Sequence, residues 1–187
     1  MTCIVGLTDK NKVYIGGDAA SANAYVVRVS AVPKVFRNGP FVIGYTSSWR
    51  MGQILQYHLR LDGITPPKAG DCLQELMVRE FVEGVRQALK EYAYAEEENN
   101  RETGGEFLVG YNGHLFHIGD DYQVNETIDG IDACGCGAEV ALGALYATRD
   151  TKLTPFQRID NALEAAAHFS KDVRPPFRIL ELGERLP

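Results

Sequence analysis

The chain opens with apolar and polar positions repeating at the period of β-strands. Residues 2–7 and 13–15 are short β-type runs separated by Asp9, Lys10 and Asn11, which predicts a hairpin at the start of the chain. Residues 25–32 set Tyr25, Val27 and Val29 against Val26, Arg28 and Ser30, the alternation of a strand with one buried face. Another strand is predicted at 41–45. The period then changes. Met51, Ile54, Leu55, His58 and Leu59 recur at three and four, as do Leu73, Leu76, Met77, Val85, Ala88, Leu89 and Tyr92, so two amphipathic helices follow. Residues 96–105 are polar and acidic, end in Gly104-Gly105, and read as a solvated connector. Strands at 107–111 and 114–118 are joined by Asn112-Gly113, a pair that supplies the two positive φ angles of a tight hairpin turn. Helical patterns occupy 138–148 and 155–169, the second with Thr154 as N-cap and Pro155 at its first position. A final strand is predicted at 177–182. The order of strands, two helices, strands, two helices and strand predicts an α+β fold. Two packed sheets with helix pairs outside would form a four-layer αββα sandwich, in one domain over residues 1–187.

Composition narrows the class of protein. With 187 residues, 45% hydrophobic and 24% charged, the chain is an ordinary globular one, long enough to bury a core without disulfides. A formal net charge of −6 argues against non-specific nucleic-acid binding. No apolar run reaches the length of a membrane span, and MTCIVGLTDK has no basic segment followed by an apolar one, so no membrane contact and a cytoplasmic location are expected. The four cysteines, Cys3, Cys72, Cys134 and Cys136, are irregularly spaced and read as reduced thiols. His114 and His117 lie three apart on a predicted strand and face opposite ways, so no metal is expected there. No cofactor fingerprint is complete either, since Val140 stands where a third glycine would follow Gly135-Cys136-Gly137.

The extreme N-terminus carries the chemical signal. Position 2 is small enough for the initiator methionine to be removed, which leaves Thr2 with a free α-amine. One residue then holds both a nucleophilic hydroxyl and a base whose ordinary pKa, about 7.7–8.0, gives a useful neutral fraction near pH 7. Ile15-Gly16-Gly17-Asp18 places a carboxylate at a strand end, and Val32-Pro33-Lys34-Val35 places a lysine in or beside another β segment.

Thr2, Asp18 and Lys34, spaced by 16 and 16 positions at the start of a strand-rich chain, resemble the N-terminal-nucleophile (Ntn) hydrolases of the proteasome β-subunit family, including the HslV type. The resemblance extends to Thr2-Cys3-Ile4-Val5-Gly6, Pro33-Lys34-Val35, Ile43-Gly44-Tyr45, Cys134-Gly135-Cys136-Gly137-Ala138 and the helix around Ala162-Leu163-Glu164-Ala165-Ala166. It implies a threonine peptidase that needs no cofactor. Thr2 would be the nucleophile and Asp18 would orient Lys34, whose charge favours an alkoxide-like threonine oxygen. A backbone N–H of Ser47 or Ser48 would stabilise the tetrahedral intermediate. Cys136 stands where the family usually carries serine, and a thiol is the weaker donor. The matching positions for the pocket that receives the residue before the cut are Ser21, Val32, Phe36, Tyr45 and Thr46, which implies a preference for apolar side chains. Ser170, Lys171 and Asp172 are the nearest counterparts of the family's downstream Asp and Ser. The family implies a homo-oligomer of stacked rings, an unfolded protein or peptide as substrate, and an unfolding ATPase as partner. The alternatives are a catalytically silent ring subunit and an Ntn amidase acting on small molecules.

Overall fold

The structure is a computed structural model that describes residues 2–22, 25–64 and 72–183. Strands β1 (Cys3–Asp9) and β2 (Lys12–Gly17) form the opening hairpin, with Lys10 and Asn11 both at positive φ in the turn. Among the described residues, β3 (Ala20–Ala22) and β4 (Val27–Val29) pair only with each other. β5 (Val35–Asn38) and β6 (Phe41–Tyr45) follow, then helix α1 (Trp49–Tyr57). The next predicted helix comprises α2 (Leu73–Leu76), a π-helical turn at Met77–Phe81, and α3 (Val82–Glu91). After it come β7 (Glu96–Glu98), β8 (Arg101–Thr103), β9 (Phe107–Tyr111), β10 (His114–Ile118), β11 (Val124–Asn125) and β12 (Ile131–Gly135). Helices α4 (Ala138–Ala147) and α5 (Pro155–Phe169) and strand β13 (Arg178–Gly183) complete the order. None of the described helices is long and apolar enough to cross a membrane.

The strands build two antiparallel sheets, β12-β1-β2-β13 and β11-β10-β9-β6-β5. Alternation along β1 shows why they stack. Cys3, Val5 and Leu7 point to α4 and α5, where they meet Ala141, Leu145, Ile159 and Leu163. Ile4 points the other way, to Val35, Val42, Leu108 and Leu115 between the sheets. On the outer face of the second sheet Phe41, Ile43, Phe107, Val109 and Phe116 pack against Met51, Ile54, Phe81 and Leu89 of the first helix group. Three apolar layers therefore separate four layers of structure. A strand buried on both faces reads as a continuous apolar run, which is what CIVGL is. The α5 N-terminus carries a full capping box: the Thr154 side chain accepts from Gln157 N and the Gln157 side chain accepts from Thr154 N.

Two sequence expectations need correction. Residues 25–32 do not form a strand with one buried face. Only Val27–Val29 are extended, in an arm beyond both main sheets, with Tyr25 94% and Val29 57% exposed. Residues 96–105 are not a bare connector: Asn99 and Asn100, both at positive φ, turn β7 back onto β8. Arg86 and Lys90 of α3 hold that hairpin through Glu102. The Glu102 carboxylate is thereby neutralised by the helix that precedes the hairpin.

Candidate active site

β1 begins beside the turn that leaves β6, and the two ends meet over a cavity of about 320 Å³ lined by Thr2, Ser21, Lys34, Tyr45, Thr46, Ser47, Ser48 and Trp49. Asp18, just past the end of β2, lies beneath it. Its carboxylate accepts four hydrogen bonds: from Lys34 Nζ at 2.8 Å, Cys3 N at 3.0 Å, Ala20 N at 2.8 Å and Arg174 N at 3.3 Å. The Lys34 and Asp18 side chains are 2% and 0% exposed. Burial pushes the Lys34 ammonium below the ordinary lysine pKa, and the Asp18 charge offsets part of that. Lys34 also lies 5.9 Å from the centre of the Trp49 ring. Thr2, itself buried, lines the same cavity as this lysine.

Thr2 is held from its other side by Cys136. The Thr2 N–H donates to Cys136 Sγ at 3.4 Å, and the thiol lies 3.4 Å from the Thr2 carbonyl oxygen and 3.8 Å from Ser170 Oγ. Gly135, in register with Cys3, has φ +91°, and a Cβ there would sit on the Thr2 carbonyl oxygen. Only glycine allows that approach. Burial lifts the neighbouring Cys3 thiol to about 12, which leaves it protonated and inert.

The Thr46–Ser48 turn is fixed by three sets of contacts. Thr46 N and Oγ1 both donate to the Glu106 carbonyl, at 3.1 and 2.8 Å. Ser47 adopts φ +54°, and its Oγ accepts from Glu106 N at 3.1 Å. Ser48 Oγ accepts from Arg50 N at 3.1 Å as the N-cap of α1. That cap faces the start of a helix toward the cavity, where the helix dipole favours developing negative charge.

The structure thus brings Thr2, Lys34, Ser21, Thr46, Ser47 and Ser48 to one cavity, with Asp18 under Lys34 and Cys136 against Thr2. Val32 and Phe36 are not among the lining. Val32 is exposed on the loop before β5, and strand alternation turns Phe36 into the helix-side core, 6.2 Å from the Tyr45 ring. Ser170 reaches the Cys136 thiol, and Asp172 N donates to Ser170 Oγ at 3.5 Å. Trp49, absent from the sequence reading of the pocket, forms part of the wall and donates through Nε1 to Ser21 Oγ at 3.2 Å. Its place immediately after an N-cap serine was the available clue. Arg174 was beyond sequence reasoning, since its contribution is a backbone N–H.

By sequence, neither a scan of protein-family models nor a search of curated proteins finds a match. By structure, the chain is similar to Thiobacillus denitrificans BPH in complex with epoxomicin, with TM-score 0.79 and 22% identity over 100% of both chains. It is also similar to eukaryotic HslV from Trypanosoma brucei, with TM-score 0.70 and 20% identity over 98% of this chain and 100% of that one. Anbu (ancestral beta-subunit) from Yersinia bercovieri superposes with TM-score 0.68 and 12% identity over 97% and 82%. With its α+β architecture, the chain has the proteasome β-subunit-like fold of the Ntn hydrolases.

Proposed function

We propose that the chain is the subunit of a threonine peptidase whose nucleophile is the Thr2 hydroxyl, exposed for chemistry by removal of Met1. The observation that carries this reading is the buried Lys34–Asp18 pair at the wall of the cavity that Thr2 also lines. The Thr2 amine takes the hydroxyl proton as Oγ1 attacks the peptide carbonyl carbon, and the carbonyl becomes an oxyanion. The Lys34 charge lowers the cost of the alkoxide-like oxygen. The Ser47 or Ser48 N–H meets the oxyanion, a contact of a kind worth about 2.7–4 kcal/mol elsewhere. Collapse breaks the C–N bond, the protonated amine hands its proton to the leaving nitrogen, and an ester on Thr2 remains. Water, deprotonated by the same amine, hydrolyses it and restores the hydroxyl.

The aromatic walls at Tyr45 and Trp49 favour an apolar residue before the cut, because a charged side chain there would lose its water without gaining a partner. The structural similarities and the exposed arm support a homo-oligomeric ring: Ser21 lines the cavity from β3, so a neighbour covering Val27 and Val29 would also wall the site. Unfolded polypeptide, delivered by an unfolding ATPase, is the substrate such an enclosure admits.

The test is intact mass before and after a peptide epoxyketone, an electrophile that consumes a hydroxyl together with an adjacent amine. Loss of Met1 and one adduct on the Thr2 peptide are expected, and Thr2→Ala should take up none. Retention of Met1, or its loss with no adduct, would instead favour a silent subunit. A fluorogenic peptide panel and native mass separate a peptidase ring from a small-molecule amidase.

A further inference from the structure

Behind the cavity, on the side away from Lys34, three charged side chains from three strand ends converge between the two sheets. His117 of β10 places Nδ1 3.2 Å from Asp132 Oδ2 of β12 and Nε2 3.1 Å from Glu106 Oε1 at the start of β9. Both ring nitrogens face carboxylate oxygens, which only accept when ionised, so the geometry calls for the imidazolium, the form with two donors. The ring is shielded, with its side chain 22% exposed. Two hydrogen-bonded carboxylates lift its pKa to about 9, and the same bond lowers that of Glu106.

Glu106 is linked to the site in two ways. Its carboxylate is tied through the ring to Asp132 of β12, the strand that ends in Gly135, the residue that abuts the Thr2 carbonyl. Its own main chain holds the other wall, since the carbonyl accepts from Thr46 N and Oγ1 and the N–H donates to Ser47 Oγ. The three side chains therefore link the strand that abuts Thr2 to the turn of the proposed oxyanion donor. We propose that Asp132, His117 and Glu106 form a positioning clamp, in which Asp132 orients the imidazolium and the imidazolium ties the Glu106 carboxylate to β12. The clamp sets the separation between nucleophile and oxyanion donor, and so it rests on the Thr2 reading for its effect on rate.

The charged and titratable groups around the ring are Glu106, Asp132 and, also on β12, Cys134, which burial keeps a neutral thiol. The adjacent strand positions in register, Leu108 and Asn125, carry no charge. Above about pH 9 the ring loses one of its two donors, and the clamp opens.

The experiment follows the rate of epoxyketone adduct formation from pH 6 to 10.5, with Tm at each pH, for the natural chain, His117→Gln and Asp132→Asn. The natural chain should show an alkaline loss centred near pH 9. His117→Gln should be about tenfold slower at pH 7.5, of the order that a small misplacement of reacting groups costs, and should lack that loss. Asp132→Asn should keep the limb but move it to lower pH, because one of the two carboxylates that stabilise the imidazolium is gone. A purely structural tie would lower Tm in both variants and leave the limb in place, and that result overturns the proposal. Failure of the Thr2 reading looks different: no adduct in any form at any pH. Hydrogen exchange then decides, since the clamp requires the Glu106 and Thr46 amides to exchange at least tenfold faster in His117→Gln while the β1–β2 amides are unchanged. Equal protection of those two amides in both proteins refutes it.

Discussion

Asp18 and Lys34 are not equal partners, and substituting them separately should reveal it. Lys34→Met removes the buried cation and leaves a carboxylate that still accepts from Cys3 N, Ala20 N and Arg174 N. With three donors still in place we expect about 3 kcal/mol, the low end for breaking a buried pair. Asp18→Asn is worse. Lys34, whose ammonium form burial already disfavours, is left without its counter-charge, which places the cost toward the upper end of the about 3–5 kcal/mol that breaking a buried pair costs. The new carboxamide also directs an NH₂ at N–H groups whichever way it flips, because Oδ1 serves Lys34 and Cys3 while Oδ2 serves Ala20 and Arg174. That donor–donor conflict adds about 1–3 kcal/mol. Calorimetric unfolding in a Thr2→Ala background, at fixed protomer concentration, should rank Asp18→Asn below Lys34→Met by at least about 1 kcal/mol. The double substitution should cost less than the sum. If Lys34→Met is as damaging as Asp18→Asn, or costs under about 1 kcal/mol, the carboxylate is not the hub described above.

Stability should also depend on pH through His117. Its folded pKa, about 9, lies above the ordinary 6.5, so the contribution is complete below 6.5 and is lost as pH rises through 9. The loss should reach about 3 kcal/mol and be absent from His117→Gln in urea titrations at pH 6 and 10. Gly135→Ala should cost about 2–4 kcal/mol and abolish adduct formation, since a Cβ meets the Thr2 carbonyl and the positive φ is strained as well; adduct formation at the natural rate would refute the close approach. Trp49→Ala should raise KM for apolar fluorogenic peptides more than it lowers kcat, because it removes a wall and the bond to Ser21 but no reacting group. Val29→Asp should shift native mass toward protomers while leaving the far-UV spectrum unchanged, since Val29 is 57% exposed and its strand pairs with neither main sheet.

The four-layer order was legible because its strands and helices differ in period, and because CIVGL and FVIGY are apolar on both faces. What the period does not carry is a strand's partner. Residues 25–32 alternate as a half-buried strand would, yet among the described residues the strand they form pairs with β3 outside both main sheets, so the same pattern describes an exposed arm. Register was equally hidden: a shift by one residue decides whether Phe36 or Val35 faces the helices, and Phe36 does. Thr2, Asp18 and Lys34 were legible through the family resemblance that their spacing carries, and each lies at an end of an early strand. Glu106, His117 and Asp132 were not, since they meet only once the sheet that holds β9 and β10 is stacked on the sheet that holds β12. The fold and half of the cavity wall were therefore in the sequence, whereas the contacts that join the sheets were not.

The four donors on Asp18 also bear on when the site can exist. They come from Cys3, Ala20, Lys34 and Arg174, and the last is 156 residues further along the chain. During synthesis the N-terminal strands emerge first, but the carboxylate is not fully coordinated until the segment after α5 has docked. A nascent or truncated chain thus carries Thr2 without the settled electrostatics beside it. For a protein proposed to cut polypeptides, this couples reactivity to completion of folding and gives a newborn subunit an interval in which it does not threaten its neighbours.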